Sequence, residues 1–192
     1  MGKIGWQEYG VFDACQLRKI DPSIAPISTS LGMPGLPAYF GLFEIGRPIV
    51  GDTVVISAAS GAVGAVVGQL AKFRGCRVIG IAGTDEKINC VADELGFDAT
   101  LNYKTEDIPT RLGAWCPDDI DIYWDNVGGE LAGATIEGIA SGGRVVICGQ
   151  IAQYNVTSPI GSATAHSSMG RMWWWELKTR LLHLSACSMG PT

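Results

Sequence analysis

The segment from Asp52 to Lys87, DTVVISAASGAVGAVVGQLAKFRGCRVIGIAGTDEK, constrains this chain more than any other. A β-branched run, Thr53 to Ile56, enters a turn of small residues from Ala58 to Gly64. An apolar helical pattern follows from Val63 to Arg74, and then a second strand-like run from Arg77 to Ala82. Strand, glycine turn, helix and strand in this order make a βαβ unit of the kind that holds dinucleotides. Gly61 lets the backbone approach a pyrophosphate with no Cβ in the way. Gly64 lets the helix lie close to the first strand. Ala62 and Val63 lie between them, where the helix N-terminus offers unpaired N–H groups and the positive end of its dipole. Two glycines three apart also serve ordinary helix–strand packing, so the flanking strands carry the reading. Ala59 and Ser60 stand where the first glycine of the usual G-x-G-x-x-G would be.

The rest of the chain continues the alternation. Pro37 suits the first turn of a helix from Ala38 to Ile45, and Gly46 suits its stop. Beyond the βαβ unit the pattern predicts a helix from Asp85 to Leu95, a strand from Ala99 to Asn102, and a helix from Thr105 to Ala114 capped by Thr105. A strand from Ile120 to Trp124, a helix from Glu130 to Ile139 and a fifth strand from Arg144 to Cys148 complete the series. Such alternation with short loops implies right-handed crossovers and a doubly wound parallel α/β sheet of Rossmann type. Gly5 to Lys19 reads as short strands around a turn. Past Tyr154 the pattern breaks. Arg171 to Leu184 reads as an amphipathic helix, although three consecutive tryptophans cannot share one face. The expected division is a remnant of a β-rich domain over 1–30, a nucleotide-binding domain over 31–155 and a divergent tail over 156–192.

Charge and cysteine usage exclude several classes. The formal net charge is −5 with no basic block, which argues against nucleic acid or an anionic membrane as partner. No uninterrupted apolar run reaches the length of a membrane span, and residues 1–8 lack the apolar core of a signal peptide. The six cysteines are scattered, without a C-x-x-C pair or a histidine at ligand spacing, so no metal site is expected and a reducing cytoplasm is. His166 and His183 have no acidic or cysteine partner at useful spacing. The glycine turn lacks the G-K-[ST] ending of a phosphate-transfer loop.

In an open α/β sheet the ligand lies beyond the carboxyl ends of the strands. Those ends gather Ala58 to Gly64, Gly83 to Lys87, Asn102 to Lys104, Asp125 to Gly129 and Cys148 to Gln150. The end of the second strand selects the dinucleotide. An enzyme for NAD places a carboxylate there for the ribose 2′-OH. Here Ala82, Gly83 and Thr84 occupy it, and Asp85 with Glu86 fits the first turn of a helix capped by Thr84. Lys87 opposes that helix dipole, which is explicable if it faces an anion such as a 2′-phosphate; a solvated surface lysine is the alternative. Tyr103 would add a hydroxyl to the same phosphate, unless it is an ordinary edge tyrosine. Asn126 reads either as a ribose or nicotinamide contact or as a turn former.

Several motifs taken together resemble a known family. GWQEY, LGMPGLPAYFGL, AASGAVG, GTDEK, NYKTED, DNVGGE and CGQIAQYN, in this order between Gly5 and Asn155, are similar to the zinc-independent medium-chain dehydrogenase/reductases. Within them the chain resembles the NADP-dependent alkenal/enone double-bond reductases. The resemblance implies NADP(H) as cofactor and hydride transfer to the C=C bond of a small-molecule α,β-unsaturated carbonyl. It implies Gly61, Ala62, Val63 and Gly64 at the pyrophosphate, Lys87 and Tyr103 at the 2′-phosphate, and Asn126 at the cofactor. The loop Cys148, Gly149, Gln150, Ile151, Ala152, Gln153 and Tyr154 would wrap the nicotinamide half, and Met33 to Gly35 would line the cleft. Full-length relatives are expected to be homodimers. The resemblance ends after Asn155, and most of the substrate domain that precedes GWQEY in the family has no counterpart, so a truncated or non-catalytic NADP-binding module is the competing expectation. No catalytic residue is assigned.

Overall fold

The computed structural model describes residues 8–16 and 34–155. Five strands, β1 (Thr53–Ser57), β2 (Arg77–Ala82), β3 (Ala99–Asn102), β4 (Ile120–Asp125) and β5 (Ile139–Ile147), form one parallel sheet in the order β3-β2-β1-β4-β5. The central strands are nearly continuous apolar runs because helices cover both faces. Side chains alternate between those faces. Val54, Ile56, Val78, Ile122 and Trp124 pack on one face with Leu42, Val67, Ala71 and Phe97. Val55, Ile79, Ile81, Leu101 and Tyr123 pack on the other with Leu112 and Leu131. Two cores on one sheet are the doubly wound arrangement. Strand order reverses between β1 and β4, and the crevice expected there lies at their carboxyl ends.

The helices mostly follow the sequence pattern, with informative differences. The first, α1 (Gly35–Phe40), runs on as a π-helical turn, Gly41–Gly46, and stops where Arg47 adopts φ 48. It starts three residues before the expected Ala38, behind Pro34. Pro37 is tolerated because the first-turn N–H groups have no intrahelical acceptor. Gly41 is required by packing: a Cβ there would come 2.5 Å from Cη2 of Trp124. The helix of the βαβ unit, α2, spans Ala62–Phe73. Next, α3 (Asp85–Asn89) is capped by Thr84, whose Oγ1 accepts from Lys87 N at 3.4 Å, and widens into a π-helical turn over Cys90–Glu94.

Three expectations are corrected. The next helix, α4, covers Ile108–Trp115 and is capped by Asp107, not Thr105. Asp107 Oδ2 accepts from Thr110 N at 3.0 Å, and the N–H groups of Thr105 and Glu106 both donate to Asn102 O, which closes a turn there instead. Hydrogen bonding from Thr110 also lowers the Asp107 carboxyl below its ordinary range. The last helix, α5 (Gly129–Ile136), ends three residues early, because β5 begins at Ile139 and not at Arg144. The pairing of β4 with β5 shifts register between Ile120 and Ile122, and Gly142 at φ 86 absorbs the irregularity. Finally, residues 8–16 hold a 3-10 turn, Ala14–Gln16, and no strand, since no described residue pairs with them. Cys15 N there donates to Asp13 Oδ1 at 3.2 Å. The remainder of the Gly5 to Lys19 reading, Met33, His166, His183 and the Arg171 to Leu184 helix lie outside the described residues.

Arg144 fastens β5 to the approach to β1. Its Nη1 donates to Arg47 O at 2.9 Å and its Nη2 pairs with Asp52 Oδ2 at 3.3 Å.

Candidate functional site

The turn from β1 into α2 is built from backbone. Ala58 takes φ 50, a conformation that suits a residue without bulk, and its carbonyl accepts from Gly61 N at 2.9 Å. Ala59 N donates to Ile81 O at 3.0 Å and so hangs the turn from β2. A Cβ on Gly64 would lie 2.4 Å from Ala58 O and 3.0 Å from Ala59 Cα, so only glycine lets α2 start so near the strand. A Cβ on Gly61 would lie 3.1 Å from Ala58 O. No side chain caps α2. Ala65 N takes the first acceptor, Gly61 O, which leaves the N–H groups of Ala62, Val63 and Gly64 without intrahelical acceptors. A dozen-residue helix with an uncapped N-terminus at a topological switch point suits an anionic ligand.

The ends of β2 and β3 meet. The ring of Tyr103 lies over Gly83, where a Cβ would come 2.8 Å from Tyr103 Cε1 and 3.1 Å from its hydroxyl. Tyr103 N donates to Ala82 O at 3.1 Å, which sets the ring there. Thr84 to Lys87 follow directly, so Tyr103 and Lys87 belong to one corner. Lys87 is exposed and forms no salt bridge among the described residues. Asp85 is engaged: its Oδ1 accepts from Asn102 Nδ2 at 2.6 Å. The corner therefore presents a cation and a phenol, with the Asp85 carboxylate tied to the end of β3.

The ends of β1, β4 and β5 are joined through Asp125. Its buried Oδ1 accepts from Tyr123 OH at 3.0 Å, Ser57 Oγ at 3.2 Å, Val127 N at 2.9 Å and Gly128 N at 2.8 Å. Burial, with the Asp125 charge beside it, pushes the Tyr123 phenol up. Asn126 bridges the strands: its Nδ2 donates to Ser57 O at 2.7 Å, its N to Ser57 Oγ at 2.8 Å, and its Oδ1 accepts from Trp124 Nε1 at 3.1 Å. The side chain is thus held in place by the protein, with one amide hydrogen left over. Cys148 N and Gly149 N both donate to Asp125 O, at 2.8 and 3.1 Å, and Ala152 N donates to Val127 O at 3.0 Å. The segment Cys148 to Tyr154, including a 3-10 turn at Ile151–Gln153, folds back over the β4–α5 turn. Ile151 and Tyr154 are exposed. Burial, then Asp125, raises the Cys148 thiol.

The predicted site residues fall into two groups: the first comprises Gly61 to Gly64, Asn126 and Cys148 to Tyr154, the second Lys87 and Tyr103. The Ala59–Ile81 hydrogen bond links them. Residue-by-residue reading missed Ser57, Asn102 and Asp125. Two of them lie within the motifs NYK and DNVGG, but their partners are 17 or 68 positions away. A cavity of about 190 Å³, lined by Leu112, Cys116, Asp119 and Glu137, opens at the amino ends of β4 and β5 and is remote from this crevice. Among the described residues no cluster of His, Cys, Asp or Glu could hold a metal, and no helix is long and apolar enough to cross a membrane.

Comparison with known proteins gives concordant matches. Residues 62–174 match the family model described as zinc-binding dehydrogenase. The chain is 47% identical over 163 residues to mouse prostaglandin reductase 1, covering 81% of this chain and 49% of that protein. It is 45% identical over 165 residues to the NADP(+)-dependent 2-alkenal reductase of Nicotiana tabacum, covering 83% and 48%. The crystal structure of CurA from Vibrio vulnificus in complex with NADPH superimposes with a TM-score of 0.68 at 43% identity, covering 84% of this chain and 46% of that one. The chain spans about half the length of the curated relatives it matches.

Proposed function

We propose that this chain, which belongs to the zinc-binding dehydrogenase family, binds NADP(H) and forms the cofactor half of a reductase for α,β-unsaturated carbonyl compounds. The observation that carries the reading is the corner where the Tyr103 ring lies over Gly83, exposed Lys87 follows four residues on, and Asp85 is held by Asn102. A 2′-phosphate finds a cation and a hydroxyl there, whereas the Asp85 carboxylate is engaged by Asn102. The amides of Ala62, Val63 and Gly64 would hold the pyrophosphate, Asn126 the ribose side, and Cys148 to Tyr154 the nicotinamide half. Held by these residues, the cofactor would supply hydride for the β-carbon of the C=C bond, with a proton completing the α-carbon. The chain's own contribution is to orient the cofactor and to shield one of its faces with the loop that Asp125 anchors. The NADP-dependent names of relatives at 45% identity and the NADPH-bound neighbour support the cofactor.

In this reading residues 31–155 are the nucleotide domain, 1–30 belong with a substrate domain, and 156–192 are a divergent tail. A cytoplasmic setting goes with it, supported by five free thiols among the described residues. Homodimeric assembly of the longer relatives is part of the same reading. An NADP-binding module without turnover is the second reading.

Titration of the full chain with NADPH and NADH, followed by fluorescence, tests the assignment. Tight NADPH binding, weaker NADH binding, and a loss of roughly tenfold to a hundredfold in NADPH affinity in Lys87→Ala are expected, the scale of a charge-assisted contact. Equal binding of both nucleotides refutes the phosphate corner. NADPH oxidation with a 2-alkenal then separates the reductase from the binding module.

A further inference from the structure

Asp85 stands two residues beyond Gly83, the nearest carboxylate to the place where an NAD site keeps its acid. It is kept from that task by Asn102. Asn102 is 5% exposed, and three contacts fix it. Its Oδ1 accepts from Lys104 N at 3.2 Å, its N donates to Glu106 Oε1 at 2.9 Å, and its Nδ2 donates to Asp85 Oδ1 at 2.6 Å. Because the amide oxygen faces an N–H donor, the amide nitrogen is the end presented to the carboxylate. The bond therefore has one sense, and it is charge-assisted.

We infer that Asn102 is a specificity-determining positioning residue: by holding the Asp85 carboxylate at the end of β3, it makes the corner read a ribose 2′-phosphate in preference to a 2′-hydroxyl. The inference rests on the proposed NADP(H) site. Two effects act together. A held Asp85 has one oxygen committed to Asn102 and is not free to swing toward a 2′-OH, and its charge is partly satisfied by the amide, so it repels a phosphate less. Asn102 also precedes Tyr103, so the same clamp sets the ring that lies over Gly83.

The test is a set of fluorescence titrations of the full chain with NADPH and NADH, with a circular-dichroism melt of each variant. Asn102→Asp keeps the volume and the acceptor toward Lys104 N but puts a second carboxylate against Asp85. Both Asn102→Ala and Asn102→Asp are expected to lower the NADPH-over-NADH preference about tenfold. Asp85→Asn placed in either background is expected to restore most of it, whereas Asp85→Asn alone changes the preference less than threefold. A merely structural Asn102 would weaken both nucleotides alike and show no rescue, which overturns the inference. An unchanged preference in the Asn102 variants, with Lys87→Ala still abolishing it, overturns the inference and leaves the cofactor assignment standing. A tenfold gain of NADPH preference in Asp85→Asn alone also overturns it, since that carboxylate would then already read the ribose. Equal binding of both nucleotides by the unaltered chain removes the assignment and the inference together.

Discussion

Gly64 and Gly133 test the packing argument against each other. Both lie in helices, and replacing either by alanine gains about 1 kcal/mol of helix propensity. At Gly133, on the exposed side of α5, a Cβ meets nothing within 4 Å, so the gain stands alone. At Gly64 the Cβ would sit 2.4 Å from Ala58 O, about 1 Å inside ordinary contact, with Ala59 Cα at 3.0 Å. Both obstacles are backbone, and Ala58 is already at φ 50 and hydrogen-bonded to Gly61. Neither can swing aside as a side chain would, so α2 must slide away from β1. Overpacking of this kind costs about 1–3 kcal/mol, and the rigid neighbours put this case at the upper end. Gly64→Ala is therefore expected to be about 1–2 kcal/mol less stable than the unaltered chain, and Gly133→Ala about 0.5–1 kcal/mol more stable. For a chain of this length each kcal/mol moves Tm by about 2–4 °C, so thermal melts should place the two variants several degrees apart. Gly64→Ala should also lose NADPH affinity, because its amide and those of Ala62 and Val63 move with the helix. Equal melting temperatures for the two variants would refute the reasoning.

Asp125→Ala removes the shared acceptor of Tyr123 OH and of the N–H groups of Val127 and Gly128, while Ser57 Oγ keeps Trp124 O and Asn126 N as partners. At about 1–3 kcal/mol for each group that water cannot reach, a loss of roughly 3–5 kcal/mol is expected in urea unfolding; a loss under 1 kcal/mol would show that the turn holds without it. Burial drives the Cys76 and Cys116 thiols from 9.0 up to about 11. A raised thiol favours the folded state while protonated, so this stability is intact below pH 9.0 and is lost as pH rises through about 11; Cys76→Ala with Cys116→Ala should flatten alkaline unfolding in that window. Burial alone would raise the Asp98 carboxyl, but the hydrogen bonds from Lys72 Nζ and Val78 N outweigh it and lower the carboxyl overall. Its contribution is present above the unfolded value of about 4 and lost as pH falls below it; acid unfolding of Asp98→Asn should be less steep there, and an unchanged acid limb would count against the assignment.

The strands were legible because each is a short apolar run between turn residues, and β2 and β3 have the boundaries that their residues predict. The glycine turn was legible too, because its constraint is local: a helix starting that close to a strand tolerates no Cβ at Gly64. Less was legible where a helix start depended on competition among hydrogen bonds. Thr105 and Asp107 are both good caps, and Asn102 O decided between them by taking the N–H groups of Thr105 and Glu106. The length of β5 was hidden because its glycines resemble a loop until β4 lies beside them with a register shift.

From sequence alone came the order of elements, the parallel sheet, and the positions that gather at the strand ends, since periodicity and turn chemistry act over a few residues. Tertiary structure alone decided which polar side chains are spoken for. In the linear chain Asp85 read as a first-turn helix acid, and Asn126 as either a ribose or nicotinamide contact or a turn former. In the fold Asp85 is held by Asn102, 17 positions later, and Asn126 by Ser57, 69 positions earlier. A side chain's hydrogen-bonding capacity is finite, and only the packed sheet determines which neighbour takes it up.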